Sequence, residues 1–513
     1  MSRNKLNSGE CLSAKRRTAL RKSQKVGKIK KPSRSSRLRG ENKSARSSRL
    51  RGEKRSARPA SPEKKPTGFV TPANLGLLTD LYELTMAAAY LRHGITEDCA
   101  FEVFCRKLPS NRAFLVSAGL EQAVEYLQQI HFSDDQLDYL RRLPVFSSVD
   151  DSFFHYLANF QFKGDVWAMS EGTPFFSQEP ILRLKAPAPD AQILETFLLS
   201  TLSYQTMVAS KAARLALAAG NKAVIDFGTR RAHGPQAGLL AARASFIGGC
   251  AGTSNVLAGQ QWDVPVVGTM AHAWVMQFDS EEEAFESFRQ IFPKHTVLLL
   301  DTYDTLEATQ LVARFRSKIP GVRLDSGDFS QLAPKVRKIL DEAGHRETQI
   351  VASGDLDERK LFEISAKQLP IDSFGVGTDL VISKDAPSVN LIYKLAERIT
   401  GGRRIPTMKA STDKATYPFS KQVIRHREGD TYIGDVIIID TEQAPGKRLL
   451  QPIMKEGQQV CQWPDVKRIQ QYARDQLARL PEGVKRLENP ETYPVRFSHR
   501  LQQEFTKLRE RLR

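Results

Sequence analysis

The sequence predicts an α/β protein: an α/β barrel of parallel βα units over residues 201–400, and a second α+β domain assembled from both ends of the chain. Three observations lead there. Short apolar segments recur at intervals of roughly 20 to 45 residues through the middle of the chain, each closing on polar residues or glycine. Helical spans separate them, as parallel strands require. Strand- and helix-forming segments also lie before residue 200 and after residue 400.

At 513 residues, 41% of them hydrophobic, the chain is long enough for two or three domains with a real core. Its first 66 residues have another texture. They hold 23 Lys and Arg against 4 Glu, a net +19, while everything beyond them sums to −1. The formal charge of +18 therefore belongs to a tail, and the folded body is electroneutral. Rich in Ser, Arg and Lys and nearly free of aromatics, residues 1–66 are expected to be a disordered basic tail, because they bury too little surface to offset ordering entropy. Within them SSRLRGENKSAR (35–46) recurs as SSRLRGEKRSAR (47–58), a period too short for a solenoid unit. Such a tail suits RNA, membrane phosphate or an acidic partner, or is a solvated extension without specific function. There is no apolar run of about eighteen residues and no apolar signal-peptide core, so no membrane partner is expected. The five cysteines (Cys11, Cys99, Cys105, Cys250 and Cys461) include no CxxC pair, which fits neither a disulfide framework nor a zinc ribbon. A cytoplasmic protein is expected.

The first globular element is a helix over 79–92 (TDLYELTMAAAYLR), with Thr79 or Asp80 as N-cap. Mixed strands and helices run to about residue 184, and a long apolar helix over 195–219 stops at Gly220. Residues 67–200 thus form the N-terminal part of the second domain. Barrel strands are predicted at 223–226 (AVID), 264–269 (VPVVGT), 297–301 (VLLLD), 322–328 (VRLDSGD), 350–355 (IVASGD) and 371–378 (IDSFGVGT). A strand at 432–440 and a charged helix at 466–480 make residues 401–513 the part that completes the second domain.

In parallel barrels the chemistry sits at the carboxyl ends of the strands. GVRLDSGD (321–328) sets Arg323, Asp325 and Asp328 close together, with Gly327 allowing a tight turn. An arginine beside carboxylates suits phosphate oxygens together with ribose hydroxyls or Mg²⁺, and equally an ordinary βα loop with an N-cap and a salt bridge. SGD (353–355) and GVGT (375–378) are glycine-bearing strand ends whose amides can cradle phosphate, though each alone reads as a turn. DFGTRRAH (226–233) offers Phe227 and the adjacent Arg230 and Arg231, either a sandwich for a planar ring or a surface charge pair beside a core Phe. GTMAHA (268–273) brings Thr269 and His272. A lone histidine is more often structural, but in one ring with Arg230, Arg323 and Asp325 it can accept or relay a phosphoryl group. A GxxxxGK[ST] phosphate loop is absent, and His233, His272 and His295 lack HExxH spacing.

Ten segments, in order from residue 77 to at least 421, together resemble nicotinate phosphoribosyltransferases: TDLYELTM, FEVFCRKLPSNRAFLVSAGL (101–120), EGTPFF (171–176), DFGTRRAHGP, SNVLAG (254–259), GTMAHA, GVRLDSGD, SGDLDE, FGVGTDL and YKLAE (393–397). The resemblance implies an irregular α/β barrel of the type II phosphoribosyltransferase kind, in a homodimer whose sites form at the subunit interface. It implies an ATP-coupled ligase that joins nicotinate to 5-phosphoribosyl 1-diphosphate and releases diphosphate, supplying NAD synthesis. On that pattern His272 is the transiently phosphorylated histidine and Asp325 acts beside it. Tyr82, from the neighbouring subunit, and Phe227 flank the pyridine ring, while Thr269 and Arg323 approach its carboxylate or the adjoining phosphates. Arg230 lies near the diphosphate. Asp325 and Asp355 hold the ribose hydroxyls or Mg²⁺, Gly354 belongs to the phosphoribosyl diphosphate site, and Gly377 with Thr378 receives the 5-phosphate.

Two features depart from the family: the basic tail, and PFSK (418–421), where Phe419 stands in place of an expected glycine. The nearest alternative is a relative acting on nicotinamide. Such a site should offer a carboxylate to the amide, whereas Ser254 and Asn255 occupy that stretch, which favours the acid. A nucleic-acid-binding protein with an inactive body is a third reading; the neutral body argues against it and leaves only the tail to bind.

Overall fold

The computed structural model describes residues 68–411 and 414–512. The predicted tail, 1–66, lies outside the described residues. The early helix α1 runs Leu81–Arg92 with Asp80 at its N-cap position, but neither expected cap acts as one. Asp80 instead accepts from the Thr196 hydroxyl at 2.6 Å, and the Thr79 hydroxyl bonds to Glu83. The long helix α2, Glu195–Ala219, matches its predicted span, and it ends where Gly220 turns to φ 63°. That left-handed conformation suits glycine. Its central stretch is buried all round because it packs on three sides, against Leu120–Gln129, Pro235–Ile247 and Glu358–Ala366.

Six parallel strands form the barrel sheet: β1 (Ala223–Asp226), β2 (Gly252–Thr253), β3 (Val297–Leu299), β4 (Gly321–Leu324), β5 (Gln349–Ser353) and β6 (Ser373–Val376). Their order is β2-β1-β6-β5-β4-β3. Pairing of Asp226 with Val376, Gly375 with Ser353, and Val351 with Arg323 sets the carboxyl ends side by side. One predicted strand is corrected. Residues 264–269 make a single parallel bridge, Val266 to Thr253, and Pro265 there has no N–H to extend a ladder. The sixth strand is instead Gly252–Thr253, too short to leave an apolar signature.

The second domain's main sheet is antiparallel and draws on both ends of the chain. Its seven strands run Arg403–Pro406, Leu391–Thr400, Asp98–Cys105, Pro180–Pro187, Asp165–Met169, Leu450–Lys455 and Gln458–Gln459. A four-stranded sheet beside it contains Thr431–Ile439, one residue from the predicted strand. Phe419 takes φ 65°, the region that favours glycine, at a strain of about 1–3 kcal/mol. The loop holds it there: its N–H donates to Ala396 at 2.8 Å, and its carbonyl accepts from Lys421 at 2.9 Å. No helix among the described residues is long and apolar enough to cross a membrane.

A buried ion pair ties the barrel's flank to the second domain. Arg243, on helix Pro235–Ile247, donates to both oxygens of Glu171 at 2.8 and 2.7 Å, and to Glu121 at 2.6 Å. Glu171 also accepts from the amides of Gly119 and Leu120 at the start of helix Leu120–Gln129. Burial pushes the Glu171 carboxyl up, but Arg243 and these amides outweigh it and hold it below its ordinary value. Removing the cation strands a carboxylate without solvent, so Arg243→Met should lower unfolding free energy by about 3–5 kcal/mol. The sign with pH follows. A depressed carboxyl stabilises the native protein above its unfolded value and ceases to as pH falls through the folded one, whereas in Arg243→Met burial, the largest influence, is opposed only by the two amides and raises Glu171. The deficit between mutant and wild type, from urea denaturation, should therefore be largest near neutrality and shrink by about pH 5.

Candidate active site

The strand ends converge on one guanidinium. Arg323, near the end of β4, has a side chain only 11% exposed. Its Nε donates to Ser353 Oγ at 2.7 Å, one terminal nitrogen to Thr269 Oγ1 at 2.7 Å, and the other to Asp325 Oδ1 at 2.6 Å. Ser353 closes the triangle by donating to Asp325 at 2.5 Å. Burial pushes the Asp325 carboxyl up, yet the bonds from Arg323 and Ser353 bring it below its ordinary value, so it is ionised near neutrality. Its second oxygen lies 3.8 Å from Nε2 of His272, whose Nδ1 is 3.2 Å from Thr302 Oγ1.

Above this triangle opens a cavity of about 540 Å³. Phe227 and Arg323 form part of one wall, with the guanidinium 5.8 Å from the ring centre. Glycines make the wall possible. A Cβ on Gly375 would stand 2.4 Å from the Phe227 ring, and one on Gly354 would stand 1.8 Å from the carbonyl oxygen of Asp325. Gly354 at φ 91° and Asp355 at φ 46° continue the turn, and Lys360 ties it by donating to the Asp355 carbonyl at 2.7 Å. Arg230 and Arg231 also line the cavity; both are exposed, and neither has an ion-pair partner among the described residues. Beside their loop, on the neighbouring strand end, the rim is Gly377 and Thr378, at the start of the short helix Thr378–Val381, with Lys384 beyond.

Residues 77–203 match the nicotinate phosphoribosyltransferase N-terminal domain, 223–433 the nicotinate phosphoribosyltransferase family, and 446–504 the family's C-terminal domain. The chain belongs to the nicotinate phosphoribosyltransferase family. The nicotinate phosphoribosyltransferase of Mycobacterium tuberculosis is 44% identical over 441 residues, covering 84% of this chain and 94% of its own. That of Bacillus subtilis is 40% identical over 461 residues, covering 83% and 93%. The crystal structure of human nicotinic acid phosphoribosyltransferase superposes with a TM-score of 0.75 at 29% identity, covering 84% of this chain and 99% of that one.

Of the residues singled out from the sequence, Phe227, Arg230, Arg323, Asp325, Gly354, Asp355, Gly377 and Thr378 line this family member's cavity. Thr269 and His272 join it through Arg323 and Asp325. Tyr82 does not: it is 45% exposed on α1, away from the cavity of its own chain. Ser353, Asp301, Thr302, Lys360 and Lys384 were not singled out. Ser353 and Asp301 stood in predicted strand-end segments; the others carry no local signature.

Hard oxygen donors, of the kind a divalent cation takes, stand beside the Arg323 triangle. Asp301 accepts the Asp325 amide at 3.2 Å and the Ser326 hydroxyl through Oδ2, while its Oδ1 is buried without a hydrogen-bond partner. That orphaned oxygen and Oδ2 of Asp325 suit Mg²⁺. Asn255 and Asp226, by contrast, are committed. Asn255 caps helix Val256–Trp262 and donates to Thr229, and the oxygens of Asp226 accept from the Gly228 amide and the Thr253 hydroxyl. The contact at Gly354 yields a test. Gly354→Ala must push the loop off the Asp325 carbonyl, and because a misplacement of about 1 Å costs on the order of a hundredfold, turnover should fall by about that factor with the circular dichroism spectrum retained.

Proposed function

We propose that this protein is a nicotinate phosphoribosyltransferase that makes nicotinate mononucleotide and diphosphate from nicotinate and 5-phosphoribosyl 1-diphosphate, coupled to ATP hydrolysis, as a homodimer. The observation that carries this is the single cavity in which an aromatic face, an ordered arginine–carboxylate triangle and two glycine turns meet. The pyridine stacks on Phe227, and its carboxylate is drawn to the Arg323 and Thr269 side. The ribose hydroxyls lie toward Asp325 and Asp355, and the 5-phosphate at Gly377 and Thr378. Displacement at the anomeric carbon passes through a cation-like state, so the protein's task is to align the ring nitrogen and screen the departing diphosphate. Arg230 and Arg231, free of ion pairs among the described residues, are suited to that screening. Mg²⁺, held by Asp301 and Asp325, would add to it.

In the coupled half of the cycle, ATP phosphorylates a ring nitrogen of His272 and releases ADP; hydrolysis after turnover returns the histidine and phosphate. The added negative charge beside Asp325 reorganises the cationic groups that hold the diphosphate. Dimerisation is supported by the exposed Leu78, Leu81, Tyr82 and Met86, an apolar strip on and before α1 that would carry Tyr82 to a partner's cavity. Nicotinate is favoured over nicotinamide because Asp226, the carboxylate nearby, is fully buried against the Gly228 amide and the Thr253 hydroxyl and does not line the cavity, and Asn255 caps a helix, so no carboxylate there meets the substrate to accept from an amide.

Purified protein given nicotinate, phosphoribosyl diphosphate and Mg²⁺ should form the mononucleotide, and ATP should increase the yield. His272→Ala should lose the ATP effect and the acid-labile phosphate label while keeping ATP-independent turnover. No mononucleotide from the wild type would refute the activity; full ATP coupling in the mutant would refute only the phosphohistidine. In direct competition nicotinate should outpace nicotinamide, and the reverse order would overturn the assigned specificity.

A further inference from the structure

Around the segment that follows Thr378, six charged side chains pack together: Lys211, Arg112, Arg214 and Glu358 are buried, Asp385 keeps 30% of its side chain exposed, and Asp379 also lines the cavity. Lys211 of α2 is fully buried, and its ammonium contacts Glu358, Asp379 and, at 2.9 Å, Asp385. Arg112 forks onto both oxygens of Asp385 at 2.7 and 3.0 Å, and reaches the Ser383 hydroxyl at 3.2 Å. Arg214, one turn along α2, donates to Glu358 at 3.3 Å. The three carboxylates come within 4.8 Å of one another, a spacing that draws a cation, and the Lys211 ammonium meets all three. Three cations against three acids leave the cluster neutral.

Its members clamp one short segment. Asp379 and Asp385 bracket the chain that follows Gly377, and between them stands Lys384, which lines the cavity. Ser383 takes φ 44°, a left-handed conformation held from outside by Arg112. From the same face of α2, Tyr204 donates to the Val381 carbonyl at 3.2 Å. Helix Thr378–Val381 is too short to hold its own orientation, so its direction is imposed by these attachments.

We propose that Lys211 is a positioning residue for phosphate binding: it pins and neutralises Asp379 and Asp385 so that the Gly377–Thr378 amides and the Lys384 amine face the cavity in one arrangement. The proposal rests on the placement of the 5-phosphate at Gly377 and Thr378. Without the ammonium, three carboxylates face two arginines directly behind the phosphate. A loosened segment with a surplus negative charge then repels the phosphate, while Phe227 stays anchored ahead of that segment, its N–H donating to the Val376 carbonyl of β6 at 2.8 Å.

The test is Lys211→Met in the full chain. The KM for phosphoribosyl diphosphate should rise at least about tenfold, with the KM for nicotinate changed by less than about twofold and kcat by less than about threefold, the pattern of lost substrate binding rather than lost chemistry. Adding Asp379→Asn restores neutrality and should recover at least about threefold of that KM, a rescue that general loss of packing would not show. Calorimetry with ribose 5-phosphate and no pyridine should show weaker binding in Lys211→Met than in the wild type, whether or not nicotinate is the true co-substrate. If Lys211→Met does not fold, Glu358→Gln, which removes one strut away from the cavity lining, should raise the same KM several-fold. An unchanged KM for phosphoribosyl diphosphate in either folded variant, or equal rises for both substrates, overturns the proposal.

Discussion

The cavity is organised around the guanidinium of Arg323. A charge that is nearly nine-tenths covered has to be paired and fully hydrogen-bonded, and its partners come from three places in the barrel: Thr269 before His272, Ser353 at the end of β5, and Asp325 two residues on. One planar fork therefore sets the relative positions of three loops. The rest follows from that placement. Asp325 is held ionised with its free oxygen toward His272, and Gly354 has to be glycine because the β5 loop crosses directly over the Asp325 carbonyl.

The electroneutral body shapes how anions are held. With no broad positive field, a substrate bearing several phosphates depends on a few placed groups: the exposed arginines of the β1 loop and, on the neighbouring strand end, the glycine turn and Lys384. Those groups are only as well ordered as their supports. Helix α2 provides much of that support, presenting Tyr204, Lys211 and Arg214 to the segment after Gly377 and to helix Glu358–Ala366. This explains polar and charged residues within a buried helix: each is matched by a partner on the layer above.

Legibility in the sequence divides along the same physical line. Arg323, Asp325, Gly354, Asp355, Gly377 and Thr378 were readable because each stands within a few residues of the strand end that presents it, so local pattern and tertiary position coincide. Asp301 closed a predicted strand and was still passed over, since a single carboxylate there has no meaning until the Asp325 loop is beside it. Thr302, Lys360 and Lys384 are invisible for the same reason. The 264–269 segment failed in the opposite way: its apolar run was real, but Pro265 and the edge of the sheet limit it to one bridge.

By itself the sequence determined the alternation of strands and helices, the span of α2 to Gly220, the neutrality of the body and the residues at the barrel's strand ends, because these depend on periodicity, on glycine and on charge counted along the chain. Only the tertiary structure decided which of those ends touch. Arg323 meeting Ser353 and Thr269, and Lys211 closing on carboxylates up to 174 positions away, are contacts between segments that no local spacing relates. Their cause is the burial of charge. A cation taken out of water is stable only where the fold delivers its counter-ions, and that delivery is a property of the packed layers rather than of any stretch of chain.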